Sequence, residues 1–308
     1  MPEAVKLSGL SQPELGHRLI GDGLVLRTGP FVFRLRSPHR VVAQGLAAMY
    51  ADHAVLRADT LADFDLSISD GVGLHRHLRR QARFVFDGRP VFEPLPADHA
   101  YALLEWAMNW CISSHAHQFL IVHAAVIERR GAALILPAPP GSGKSTLCAG
   151  LIHSGWRLLS DELTLIDMRD GLIWPLCRPV SLKKESIAVI QRFAPQASFG
   201  RVTHDTAKGS VVHMKVPTAH LDEVDVPARA RWIVYPQFAQ GAQTEMTPRT
   251  RASALVDLAR NAFNFGLQGE AGFDRLCSVV QGCGCADFRY SDLHQAVIAF
   301  DTMAASSA

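Results

Sequence analysis

Residues 132–146 read Ala132-Ala133-Leu134-Ile135-Leu136-Pro137-Ala138-Pro139-Pro140-Gly141-Ser142-Gly143-Lys144-Ser145-Thr146. A short apolar run of strand character enters a glycine-bearing turn. Thr146-Leu147-Cys148-Ala149-Gly150-Leu151-Ile152 then continues with helix-forming composition. This order of strand, glycine loop and helix matches a phosphate-binding loop, whose general pattern is G-x-x-x-x-G-K-[ST]. Gly143, Lys144 and Ser145 fill the second half of the pattern, and Ala138 stands where the first glycine is expected. The stretch points to an α/β fold class.

Such a loop grips phosphate oxygens with consecutive backbone N–H groups at a helix N-terminus. Pro139 and Pro140 offer no N–H, whereas Gly141, Ser142, Gly143, Lys144, Ser145 and Thr146 all do. Gly141 and Gly143 permit positive φ and close approach of the backbone. Lys144 is expected to reach the β- and γ-phosphates and the Ser145 hydroxyl to ligate Mg²⁺. The implied ligand is a nucleoside triphosphate with Mg²⁺.

The rest of the composition narrows the classes. A chain of 308 residues with 48% hydrophobic and 19% charged residues is globular, with one large domain or two smaller ones. The net charge of +2 argues against a broad nucleic-acid surface. The basic run His75-Arg76-His77-Leu78-Arg79-Arg80 lacks interleaved aromatics and reads as a solvated face. No apolar run approaches a membrane span, and the N-terminus has no leader-like apolar core, so neither membrane nor export is expected. Six cysteines fit a reducing cytoplasm, and Cys283-Gly284-Cys285 with Cys277 reads as structural thiols rather than a metal site.

Along the chain, Phe31–Arg36 and Phe64–Ser69 alternate like strands, and Arg83–Phe92 reads as a hairpin about Asp87-Gly88. A short helix is expected around Leu46–Met49. We expect a β-rich α/β domain over 1–95, which recruits substrate, and a second domain over 96–308 that carries the loop. In the second, a helix is expected from Pro96 to Ser114, strands over 119–128 and 132–136 about a turn at Arg129-Arg130-Gly131, and a strand at 231–235. Further helices are expected over 186–193, 251–264, 272–281 and 293–303.

Leu158-Leu159-Ser160-Asp161-Glu162 reads as an apolar strand ending in two carboxylates, one helix and a turn beyond Lys144. An acid delivered beside the loop supplies what phosphoryl transfer needs, a metal ligand and an acceptor for the nucleophile's proton. His123 lies in the strand expected to run beside the loop strand. Its periodicity alone is that of a core histidine.

His123, Gly131, Gly141-Ser142-Gly143-Lys144-Ser145 and Gly155-Trp156-Arg157-Leu158-Leu159-Ser160-Asp161-Glu162 resemble, ungapped, the bacterial HPr serine kinase/phosphorylase family. Arg178–Lys183, Thr206–Gly209 with His213, and Asn261–Phe265 extend the resemblance, more loosely, to the HPr-kinase-related group called kinase A. The resemblance implies a kinase core of that type, α+β in character, with a mixed sheet and flanking helices. It implies Asp161 as catalytic acid/base, Glu162 as its metal-binding companion and His123 near the transferred phosphate. The family's E-I-R-G-L-G segment has no counterpart here, which leaves reverse phosphorolysis and HPr as substrate open. Glu185 is the candidate to replace the metal-ligating glutamate of that segment. Arg178 and Lys208 are candidates to bind a substrate phosphate or carboxylate.

The leading expectation is a cytoplasmic ATP- and Mg²⁺-dependent kinase acting on a hydroxyl, a serine of a peptide or small protein or else a small molecule. A nucleotide-gated ATPase, with water as acceptor and Glu162 as base, is the alternative. A nucleotide-bound scaffold without turnover is the third reading. The acceptor, the preference for ATP over GTP and the oligomeric state, a homo-oligomer included, are not legible.

Overall fold

The computed structural model describes residues 5–72, 80–139, 141–206 and 209–306. The chain divides into two compact units, Met1–Ile112 with Ser198–Asp222, and Ser113–Ala197 with Glu223–Ala308. The division falls inside the helix Ala100–His115 rather than near residue 95. Trp110 on that helix meets Phe84, Phe86 and Phe92 edge-on, at ring-centroid distances of 5.6, 5.6 and 6.3 Å, which commits the helix to the N-terminal sheet.

The first unit is built on a mixed sheet. Its strands Leu24–Thr28 and Phe31–Arg36 pair antiparallel, Phe31–Arg36 and Phe64–Asp70 parallel, and Phe64–Asp70 and Gln81–Phe86 antiparallel. The alternation of Phe31–Arg36 is expressed as strictly alternating burial. Asp87 and Gly88 both have positive φ, as a two-residue hairpin turn requires. The short helix is Arg40–Met49. A helix at Gln12–Ile20, capped by the Ser11 hydroxyl, and the strand Leu24–Thr28 were not expected. The basic run at 75–80 lies, but for Arg80, outside the described residues.

The second unit holds the glycine loop. Its elements are β1 (Phe119–Arg129), β2 (Ala132–Pro137), α1 (Lys144–Ile152), β3 (Arg157–Ser160), β4 (Leu163–Asp167), β5 (Ile173–Trp174), β6 (Val180–Lys183), α2 (Glu185–Phe193), β7 (Arg229–Phe238), β8 (Glu245–Pro248), α3 (Arg251–Arg260), α4 (Phe265–Gln281), β9 (Gly284–Tyr290) and α5 (Leu293–Ser306). The sheet order is β5-β4-β1-β2-β7-β9-β8, with β3 also paired to β1. β1 and β2 form an antiparallel hairpin about Arg130 and Gly131, both at positive φ, while β2, β7 and β9 run parallel. The unit is therefore mixed α/β, with helices flanking a mixed sheet.

Strand parity sorts the faces. Leu120, Val122, Ala124 and Val126 of β1 pack with Leu258 of α3 and with Leu276, Val279 and Val280 of α4. Residues of opposite parity, His123 among them, look to the other face. On that face α1 packs against α5 at Gly150, where a Cβ would come 2.8 Å from Leu293 Cδ1.

Two expectations are corrected. The helix expected over 251–264 stops at Arg260, and Asn261–Asn264 instead joins the sheet beside β1. His123 N donates to Asn261 O at 2.8 Å and Phe263 N to Ile121 O at 2.9 Å. The Asn264 amide fixes this segment, donating to Phe119 O at 2.8 Å and accepting from Ile121 N at 3.0 Å. β2 covers β1 only as far as Ala124, so this segment satisfies the backbone groups that β2 leaves exposed. α4 starts at Phe265, before the expected Gly272, and is broken at Gly269, whose φ is 55°. The strand β9, with Cys283 and Cys285 at its start, was not anticipated. The cysteines are free, and burial pushes the Cys283 thiol up to about 12.

Candidate functional site

The glycine loop leaves β2 at Pro137 and enters α1 at Lys144. Gly141 and Gly143 have φ of 87° and 86°, the left-handed region that the sequence reading required of them. At Gly141 a side chain would meet open space. At Gly143 a Cβ would lie 2.5 Å from the Tyr290 hydroxyl oxygen and 2.9 Å from Phe238 Cβ. Two neighbours pin the loop. The Tyr290 hydroxyl donates to Gly143 O at 3.0 Å, and Phe238 N donates to Ser142 O at 2.8 Å. Burial raises the Tyr290 pKa, so its hydroxyl stays a neutral donor. The first N–H groups of α1 have no intrahelical partner and open toward the loop. Ser142 Oγ is buried with no hydrogen-bond partner.

Lys144 is 9% exposed. Burial lowers its pKa, and the carboxylates of Asp161 and Glu162 act to raise it. Thr146 is half-buried on the first turn.

The acid pair follows the apolar strand β3, as expected, and β4 continues beyond it. β3 pairs with β1 through Leu158↔Ile127 and Ser160↔Val126, and β4 resumes with Leu163↔His123. The register therefore slips at Leu159, and from Ser160 to Leu163 it is unbroken across Asp161 and Glu162, with Leu163 N donating to Ser160 Oγ at 3.1 Å. A register slip re-aims the side chains beside it, and Asp161, two residues past this one, is 5% exposed. Asp161 Oδ2 accepts from the Ser145 hydroxyl at 3.4 Å and from Ser181 N at 3.1 Å. Asp161 Oδ1 is buried with no partner. Burial pushes the Asp161 carboxyl up to about 6. Lys144, the Ser181 N–H and Lys183 oppose that rise, and Glu162 adds to it.

The register places His123 one ladder position past the acid pair, half-buried on the face that α1 covers, with its ring 5.8 Å from Phe263. Arg178 is 6% exposed, not a solvated cation. Its segment docks on the acid strand, through Leu176 N to Leu159 O at 2.6 Å and Cys177 Sγ to Leu158 O at 3.0 Å. Glu185 opens α2 at an exposed position. Lys208 lies outside the described residues.

Four contributors were missed. Ser181 and Lys183 on β6 share strand parity, which Val180-Ser181-Leu182-Lys183 hinted at. Phe238 and Tyr290 carry no local signal, because only the parallel pairing of β2, β7 and β9 brings them to the loop.

Among the described residues no group of three or more His, Cys, Asp or Glu could hold a metal. A divalent cation here would share its shell between protein and phosphate oxygens, as Mg²⁺ commonly does. The Ser145 hydroxyl and the unmatched Asp161 oxygen fit that need. No described helix is long and apolar enough to cross a membrane.

A family model described as SynChlorMet cassette protein ScmC matches residues 98–171, a stretch that contains the loop and the acid pair. No curated protein matches the chain. Among solved structures the chain is similar to the Hpr(Ser) kinase/phosphatase from Coxiella burnetii, at 11% identity over 61% of this chain and 95% of that one, with a TM-score of 0.28. That similarity is too low to transfer a function.

Proposed function

We propose that this protein is an ATP- and Mg²⁺-dependent kinase that transfers the γ-phosphoryl group to a hydroxyl, most simply the serine of a peptide or small protein. One observation carries the reading. Asp161 is a buried carboxyl beside the Lys144 loop, with one oxygen committed to Ser145 and Ser181 and the other unmatched. A general base works best with a pKa near the working pH, and burial brings Asp161 to about 6.

In this reading the N–H groups of residues 141–146 cradle the phosphates, and Lys144 offsets charge on the transferred group. Ser145 and an acid-pair carboxylate hold Mg²⁺, which when bound neutralises phosphate charge. The acceptor hydroxyl gives its proton to Asp161 as its oxygen takes the phosphoryl group and ADP departs. In this reading His123 and Arg178 would serve the phosphoryl group or the acceptor. The free thiols suit the cytoplasm.

The Ser145–Asp161 contact also favours a second reading. A serine and an aspartate this close can share one cation, which leaves half-buried Glu162 to activate water in an ATPase.

Incubation with γ-labelled ATP and cell extract separates the two. Label on a peptide, protein or metabolite that disappears with Asp161→Asn supports the kinase. Phosphate release alone, independent of extract and lost with Glu162→Gln, overturns it.

A further inference from the structure

We infer that Phe238 is the platform on which the purine base of the nucleotide stacks. The inference rests on the nucleotide reading above and extends it to the other end of the ligand. The sheet supplies its direction. From loop strand β2, one neighbour is β1 with His123, and beyond it lies the β3–β4 junction with Asp161 and Glu162. The reacting phosphate belongs on that side. The nucleoside therefore extends the opposite way, over the ends of β7 and β9. Both strands run parallel to β2, so their C-terminal ends open at the same edge of the sheet as the loop. Ligands of open α/β sheets bind at that edge.

Phe238 is the last residue of β7 and Tyr290 the last of β9. Tyr290 is 2% exposed, with its hydroxyl spent on Gly143 O. Phe238 differs. The residue is 48% exposed directly beside the loop, while its N–H holds Ser142 O and Tyr290 meets its ring edge-on at 5.8 Å. An exposed aromatic ring costs hydration, and a base has a π-face to cover it. The segment after Phe238 is tied down, with Ala239 N donating to Tyr290 O at 2.9 Å and the Ser291 hydroxyl to Ala242 O at 2.6 Å, so the ring sits on a fixed rim. Stacking is indifferent to base edges, which accounts for the absence of a sequence signal for adenine or guanine.

The test is calorimetric binding of ATP and of inorganic tripolyphosphate, each with Mg²⁺, to wild type, Phe238→Ala and Phe238→Trp. Alanine keeps the N–H to Ser142 and removes only the ring. The expected result is a loss of about tenfold in ATP affinity for Phe238→Ala, with tripolyphosphate affinity unchanged and Phe238→Trp binding ATP as wild type does. Phe238→Leu, which keeps apolar bulk without a π-face, replaces the alanine variant if that one does not fold. Unchanged ATP affinity, or an equal loss for both ligands, overturns the inference and leaves the nucleotide reading intact. A folded wild type that binds neither ligand overturns both.

Discussion

The Ser145 hydroxyl donates to Asp161 Oδ2 across 3.4 Å, joining the first turn of the loop helix to the β3–β4 junction sixteen residues later in the chain. The contact is long for an O–H···O bond. It leaves room for a cation to draw the two oxygens together, and it holds Asp161 so that Oδ1 remains the unmatched atom.

Asp161→Asn keeps the shape and removes the base. Phosphoryl transfer is expected to fall by at least about 100-fold, the usual scale for losing a general base. ATP affinity should stay within a few-fold. Steady-state transfer and equilibrium nucleotide binding, measured on one preparation, check the split.

The raised Asp161 pKa also fixes the sign of a stability effect. The ordinary value is 3.8 and the folded value about 6. Between those pH values the native state holds a proton that the unfolded chain has released, so stability falls as pH rises through the window and is flat above it. The loss is on the order of 3 kcal/mol. Asp161→Asn should therefore raise Tm over wild type at pH 7.5, with the gap closing toward pH 4. Kinase activity should run oppositely, rising through pH 6 to a plateau.

Gly141→Ala and Gly143→Ala separate conformation from space. Both residues have positive φ, but only Gly143 has Tyr290 and Phe238 within clashing distance of a Cβ. Gly141→Ala should cost about 1 kcal/mol, with nucleotide binding weakened but present. Gly143→Ala should cost more and abolish the thermal shift produced by ATP. Differential scanning fluorimetry with and without Mg·ATP reads both.

Asn264→Ala tests whether the Asn261–Asn264 segment is scaffold. The amide makes two buried hydrogen bonds to β1, and its loss strands Ile121 N, while Phe119 O keeps the Gln268 amide at 3.3 Å. The stranded group costs about 1–3 kcal/mol. Denaturant melts should show that loss, while transfer activity per folded molecule, measured well below the melting temperature, stays near wild type.

Much of the site was legible because its demands are local. Gly141 and Gly143 answer to the φ values of two adjoining turns, the loop N–H groups to the absence of proline after residue 140, and the β1–β2 hairpin to a two-residue turn. His123 was placed beside the loop strand correctly, since hairpin partners are neighbours in the chain. The acid pair was found by spacing and stands between β3 and β4 as expected, but the register slip at Leu159 just before it leaves no mark in hydrophobic alternation. The helix expected through Asn264 failed for a related reason, since periodicity from Arg251 onward cannot show that β1 needs backbone partners beyond Ala124.

The amino-acid order was enough to specify the glycine loop, its lysine and serine, and the carboxylates that follow, since these depend on backbone freedom and on residues close in the chain. Folding alone decided what surrounds them. Tyr290 and Phe238 reach Gly143 and Ser142 through parallel strands far along the chain, Ser181 reaches Asp161 from the start of β6, and the Asp161 pKa is set by desolvation. Desolvation sums over atoms from several segments, so no single stretch of sequence contains it.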